Sequence, residues 1–171
     1  NDFLTKDTAA KLGNFHVVHL SEVLEHLPDP KSMLDTVFGI LHTGGLAYIT
    51  VPNDYNPFQL VARDVNSINP WWIVPPYHIN YFNFDSLENL VSSCGFEIVL
   101  RDSSFPIDIF LLMGDIYVGN DELGRKIHNK RKTMELNLKK AGMDHIKNKL
   151  YQGLASIGLG RHVEIAARKV S

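Results

Sequence analysis

Two carboxylates and two imidazoles are the side chains of this sequence best placed to do chemistry. Glu22, Glu25 and His26 stand at i, i+3 and i+4, so on one helical turn all three face the same side. His78 lies further on, in an aromatic stretch expected to fold over the same edge. Together Glu22, Glu25, His26 and His78 offer the donor types of an octahedral or tetrahedral site for Mg, Mn, Fe, Co or Zn. Without a metal, the same groups make a polar cluster that only hydrogen-bonds and caps. Imidazole being the side-chain type suited to proton transfer near neutral pH, His26 is then the candidate general base, with Glu25 and His78 as its catalytic neighbours.

The elements that must position these groups follow from periodicity. Phe15-His16-Val17-Val18-His19-Leu20 is short and β-branched, which predicts a buried strand. Pro30 stands near the start of a helix with Met33, Leu34, Val37, Phe38 and Leu41 at helical spacing. Gly44-Gly45 is expected to stop that helix, and Leu46 to Val51 makes a second apolar strand. Strand, helix, strand with short links predicts a right-handed crossover and a parallel sheet. The Glu/His turn then begins where the first strand ends, the edge at which α/β proteins place chemistry.

Residues 54–83 are rich in proline, asparagine and aromatics and predict an ordered substrate or lid loop, with a short helix over 58–65. A further helix opens at 84, capped by Asp85 or Ser86 with Leu87, Leu90 and Val91 inward, and Phe96 to Leu100 forms a third strand. Residues 107–118 are apolar and fit helix or strand. Residues 122–157 read as helical with a break at Gly142 and an inward face of Met143, Ile146, Leu150, Leu154 and Ile157. Residues 161–170 suggest a last strand, antiparallel at the sheet edge. The fold class is therefore α/β: one domain over 1–171, a mostly parallel sheet with an antiparallel last strand and flanking helices.

Composition narrows the function classes. Of 171 residues 44% are hydrophobic and 21% charged, with a net charge of −2, so there is no global pull toward nucleic acid or an anionic membrane. Basic residues gather between 121 and 149, a pattern of a solvated helix face more than of a nucleic-acid footprint. Trp71-Trp72 suits either stacking on a sugar or base, or anchoring its loop. Cys94 is the only cysteine and reads as a small core residue, with no intrachain disulfide open to it. No apolar run approaches the ~20 residues of a membrane span, and a cytoplasmic protein is expected.

With these elements placed, a resemblance emerges. Phe15 to Pro30, with Leu24-Glu25-His26-Leu27 and Asp29-Pro30, is similar to the fourth-strand segment of class I S-adenosylmethionine-dependent methyltransferases. Leu41-His42-Thr43-Gly44-Gly45 resembles that family's turn before strand five, and Val51-Pro52-Asn53 its end. His78 to Phe82, Leu87, Gly95-Phe96 and Gly160-Arg161 follow in the family's order. His16 stands where the family has Asp, and His42-Thr43 where it has Lys-Pro. The resemblance covers residues 15–170 and implies a partial Rossmann-like methyltransferase sheet with S-adenosylmethionine as cofactor. It places His19, Leu20 and Ser21 beside the methionine moiety. The four-ligand set is also similar to the Glu-x-x-Glu-His plus distant His of small-RNA 2′-O-methyltransferases, which bind metal, and a quinone-precursor family carries a comparable Glu-x-x-Glu-His.

The family's Gly-rich cofactor loop has no counterpart here, since Gly13 is the only glycine among residues 1–14, which read as a tail of the region before strand four. The expectation is a truncated methyltransferase, inactive and without measurable S-adenosylmethionine binding alone, that self-associates through its exposed half-sheet. The methyl acceptor is a small molecule, a sugar or an RNA end, and the sequence selects none of them. The competing reading is a non-catalytic α/β remnant that works through self-association or a partner subunit. A nicotinamide enzyme is weaker, having no Gly-rich fingerprint.

Overall fold

A computed structural model describes residues 3–170, leaving residues 1 and 2 of the expected tail outside the described residues. Strands β1 (Phe15–Ser21), β2 (Leu41–Pro52), β3 (Phe96–Ser103) and β4 (His162–Lys169) form one sheet in the order β1-β2-β4-β3. β1 and β2 are parallel, and β4 is antiparallel to both β2 and β3. The last strand is thus antiparallel, but it is not at the edge: it is inserted between β2 and β3. Its sequence explains why. Val163, Ile165, Ala166 and Ala167 are all buried, and consecutive buried residues need cover on both faces of the sheet.

After a short first helix, α1 (Lys6–Ala9), helix α2 (Pro30–Ile40) makes the crossover between β1 and β2. Asp29 caps it by accepting from the Ser32 amide at 2.9 Å, with Pro30 at the first position. α2 buries Leu34 and Val37 against Ala47, Ile49 and Val51, the inward set of β2. Helix α4 (Phe84–Ser93) adds Leu87 and Val91 to the same core. Its cap is Asn83, reciprocated by Ser86, rather than Asp85 or Ser86. Burying each such Leu or Val stabilises by about 1.5–3 kcal/mol.

Gly44-Gly45 does not stop α2. The helix passes straight into β2, where Phe15 pairs with Leu41 but Val17 pairs with Leu46, so residues 42–45 bulge from the ladder. A Cβ on Gly45 would lie 2.8 Å from the His42 carbonyl oxygen. His16 and His42, the two departures from the family pattern, meet across this bulge with ring centroids 4.6 Å apart.

The lid segment contains α3 (Pro57–Asp64), and the apolar stretch after β3 yields only α5 (Ile109–Leu112). α6 (Asp121–Lys140) and α7 (Asp144–Ser156) are separated at Gly142, whose φ is +69°. Of the expected inward face of α7 only Leu154 is half-buried: Met143, Ile146, Leu150 and Ile157 are exposed, and Tyr151 and Ala155 are buried instead. α7 packs on β3, and that docking, not the apolar stripe, selects the face. The basic segment is a solvated face with Lys126, Lys130, Arg131 and Lys147 paired to Glu122, Asp115, Glu135 and Asp144. No described helix is long and apolar enough to cross a membrane.

Candidate active site at the carboxyl ends of β1 and β2

Local chemistry shapes the carboxyl edge of the sheet. Glu22 continues the β1–β2 ladder by donating its amide to Thr50 at 2.9 Å, then turns with φ +52°. A three-residue 3-10 turn, Leu24–His26, follows. Glu22 is therefore not on a common helical turn with Glu25 and His26: its amide is still held by the sheet and its own backbone is left-handed, so the 3-10 turn begins only at Leu24.

The lid is tied to this turn by main-chain chemistry. The amides of Ile79 and Asn80 both donate to the Glu25 carbonyl, at 2.9 and 3.1 Å. The Asn80 side-chain amide donates to the Leu24 and Leu27 carbonyls at 3.2 and 2.7 Å. These bonds bring His78 against His26, with ring centroids 4.9 Å apart. One ligand atom each from Glu25, His26 and His78 lies within 4.8 Å of the others.

Three of the four expected ligands thus converge, and Glu22 is not in that group. Its carboxylate meets His162 Nε2 at 3.2 Å, while His162 Nδ1 lies 2.7 Å from Ser104 Oγ.

Electrostatics inside the cluster are unbalanced. Glu25 is 1% exposed, and neither of its carboxylate oxygens has a hydrogen-bond partner. Burial pushes its pKa up; its own backbone amide, which makes no well-formed hydrogen bond to the carboxylate, and then His26 oppose this. His26 Nε2 is 3.5 Å from Glu25 Oε1, too long for a good hydrogen bond. His26 Nδ1 lies 2.6 Å from the Tyr77 carbonyl. That contact requires an N–H there, so in the neutral ring Nε2 keeps its lone pair toward Glu25. His78 Nδ1 is buried without a partner, and burial, then His26, lowers its pKa.

A cavity of about 310 Å³ opens beside this cluster, lined also by Asp54, Gln59, Trp71, Trp72, Asp108 and Arg161. Asn53 and Asn56 build that wall. Asn53 donates to the Gly158 and Gly160 carbonyls, both at 3.0 Å. Asn56 caps α3 and donates to the Asn53 carbonyl and to Asp108. Asp108 also accepts from the Tyr117 hydroxyl at 2.9 Å. Asp54 is 3% exposed with Oδ2 unpartnered. Burial, with Glu25 and Asp108 nearby, pushes it up to about 7 from 3.8, Arg161 partly opposing.

Sequence reasoning missed Asp54, Gln59 and Asp108. The available signals were an acid directly after the end of β2 and an acid inside an apolar run. Of the residues expected beside the methionine moiety, His19 and Ser21 are exposed at the end of β1, His19 packing edge-on to Tyr48. The Leu20 side chain is in the core. Trp72 is buried and Trp71 packs against Ala62, Ile68 and Leu111, so the pair anchors the lid.

Residues 1–101 match the sequence profile of a methyltransferase-domain family. No protein of curated function matches the chain. An S-adenosylmethionine-dependent methyltransferase from Archaeoglobus fulgidus is 15% identical at TM-score 0.53, covering 96% of this chain and 64% of its own. One from Mesorhizobium loti is 15% identical at 0.45, covering 94% and 66%. Haemonchus contortus phosphoethanolamine N-methyltransferase 2 is 17% identical at 0.45, covering 92% and 34%. The chain spans less than two thirds of each of these structures, and only the first adds weight to the fold assignment. The profile match extends over more than half of the chain, and the strand order, with an antiparallel strand inserted beside a parallel crossover, accompanies it. The chain belongs to the methyltransferase-domain family and carries the class I, S-adenosylmethionine-dependent methyltransferase fold.

Proposed function

We propose that this chain supplies the acceptor side of an S-adenosylmethionine-dependent methyltransferase, and that Glu25, His26 and His78 hold a divalent metal ion beside the acceptor cavity. The observation that carries the metal is the set of unpartnered atoms. Both Glu25 oxygens and His78 Nδ1 are buried without hydrogen bonds, an arrangement that folded chains rarely leave uncompensated. Two imidazoles and one carboxylate leave further positions for water or acceptor and suit Zn, Co, Fe or Mn. The Tyr77 carbonyl on His26 Nδ1 is the outer hydrogen bond that fixes a metal-binding imidazole in the right tautomer. A bound divalent ion supplies Lewis acidity, which lowers the pKa of a coordinated acceptor group.

The chain's own residues have separable roles in this reading. His26 and His78 position the acceptor against the carboxyl end of β1. His19 and Ser21, exposed there, flank the donor's methionine part, Leu20 contributing backbone alone. The lid holds the aromatic wall and excludes water. Without metal, His26 Nε2 takes the acceptor's proton, with Glu25 at 3.5 Å stabilising the imidazolium.

The test is calorimetric titration of Mg, Mn, Co and Zn into the chain and into Glu25→Gln. One ion bound per chain and lost in the variant supports the metal. No binding of any ion refutes it and leaves the His26–Glu25 pair as the base.

A further inference from the structure

The part of the cavity that the metal cluster does not use has its own unmet chemistry. Asp54, Gln59 and Trp72 are 3%, 6% and 5% exposed, and each has a buried polar atom with no partner: Oδ2, Oε1 and Nε1. All three line the same cavity. The other two acids of the wall are already engaged, Asp108 by Asn56 and Tyr117 and Glu22 by His162. Asp54 is not.

Charge narrows the ligand. Glu22, Glu25, Asp54 and Asp108 line this space together with Arg161, His78 and His162. Among the described residues Arg161 is the one permanent cation in this lining against four acids, and no cation is hydrogen-bonded to Asp54, so its carboxylate charge is uncompensated and burial favours the neutral acid. A sugar or other polyol would offer hydrogens to the orphan oxygens but leave that charge uncompensated. An ammonium does both for the two oxygens, though the Trp72 N–H, itself a donor, is not met by it. The wall is aromatic as well: Trp71 and Trp72 both line the cavity, their rings nearly perpendicular at 5.0 Å, and aromatic surface of this kind attracts a cation.

We propose that this cavity takes a small amine as methyl acceptor, held as its ammonium by the Asp54 carboxylate and the Gln59 amide oxygen over the Trp71–Trp72 pair. This rests on the cavity being the acceptor site, and not on the metal. The chemistry balances. The ammonium releases one proton to bulk water, and the neutral nitrogen's lone pair forms the new C–N bond. The donor's S–CH3 bond breaks with its electron pair kept by sulfur, giving a neutral thioether and a methylated ammonium.

The experiment is a calorimetric titration of the full chain, with chelator present, using benzylamine and its uncharged analogue benzyl alcohol at pH 7. The amine binds at least about tenfold more tightly, the worth of one charge-assisted hydrogen bond. Asp54→Asn, near-isosteric and checked for folding by circular dichroism, removes the preference. Gln59→Met weakens the amine and not the alcohol. Equal affinity for the two probes, no heat from either, or a preference unchanged in Asp54→Asn overturns the inference. Cobalt titration of the same proteins without chelator reads the Glu25–His26–His78 cluster separately. Amine preference without cobalt binding defeats the metal alone, and cobalt binding without amine preference defeats this inference alone.

Discussion

Asp54→Asn has a second consequence, in stability, whose size follows from the structure. The Asp54 carboxyl is 3% exposed and held at about 7 against 3.8 for the ordinary group. Between those values the unfolded chain has lost this proton and the folded chain keeps it. Stability therefore falls as pH rises, by up to about 1.4 kcal/mol per pH unit for this one group. Across the roughly three units between 3.8 and 7 the total is about 4 kcal/mol, full at pH 8 and absent below pH 4. Asparagine keeps the shape and carries no such charge. Urea denaturation of both proteins with chelator, at intervals from pH 4 to 8, gives the difference directly, so the slopes of other groups cancel. The variant gains progressively on the parent above pH 4 and levels off above pH 7. Parallel curves across that range would refute the claim that Asp54 is buried without a compensating partner.

Two further outcomes follow from the lid and the sheet edge. Asn80→Ala removes both side-chain hydrogen bonds to the Leu24 and Leu27 carbonyls and costs about 1–3 kcal/mol in urea denaturation. It also frees His78, so cobalt affinity drops in the same variant. Among the described residues β1 pairs only with β2, and Val17 on it is 59% exposed. Such an edge is a template for pairing, and the chain is expected to self-associate through it. Light scattering then gives a mass above the monomer that Val17→Lys lowers; a monomeric parent refutes this.

How much was legible depended on whether the information was local. The crossover of β1, α2 and β2 was readable because strand and helix periods, a Pro30 start and short links are properties of neighbouring residues. Glu25, His26 and His78 were readable as donor types, and the Leu-Glu-His-Leu pattern placed them at a strand end. The geometry of the set was not. Helical spacing put Glu22 with Glu25 and His26, but a sheet bond from its amide to Thr50 held it out of any helix and left it against His162. A partner 140 residues away leaves no trace in spacing.

The same division holds across the fold. The α/β class, the family and the β1–α2–β2 crossover were legible in local pattern, since burying one face of each element dictates that pattern. Only the tertiary structure decided that β4 lies between β2 and β3, because pairing partners are chosen by which edges meet after collapse. It also decided which face of α7 is buried. There an apolar stripe of Met143, Ile146 and Leu150 lost to the docking of Tyr151 and Ala155. Asp54, Gln59 and Asp108 became a site only when β2, α3 and the segment before α5 closed on one cavity. A buried acid without a partner is a relation among three distant segments, and no single stretch of chain encodes it.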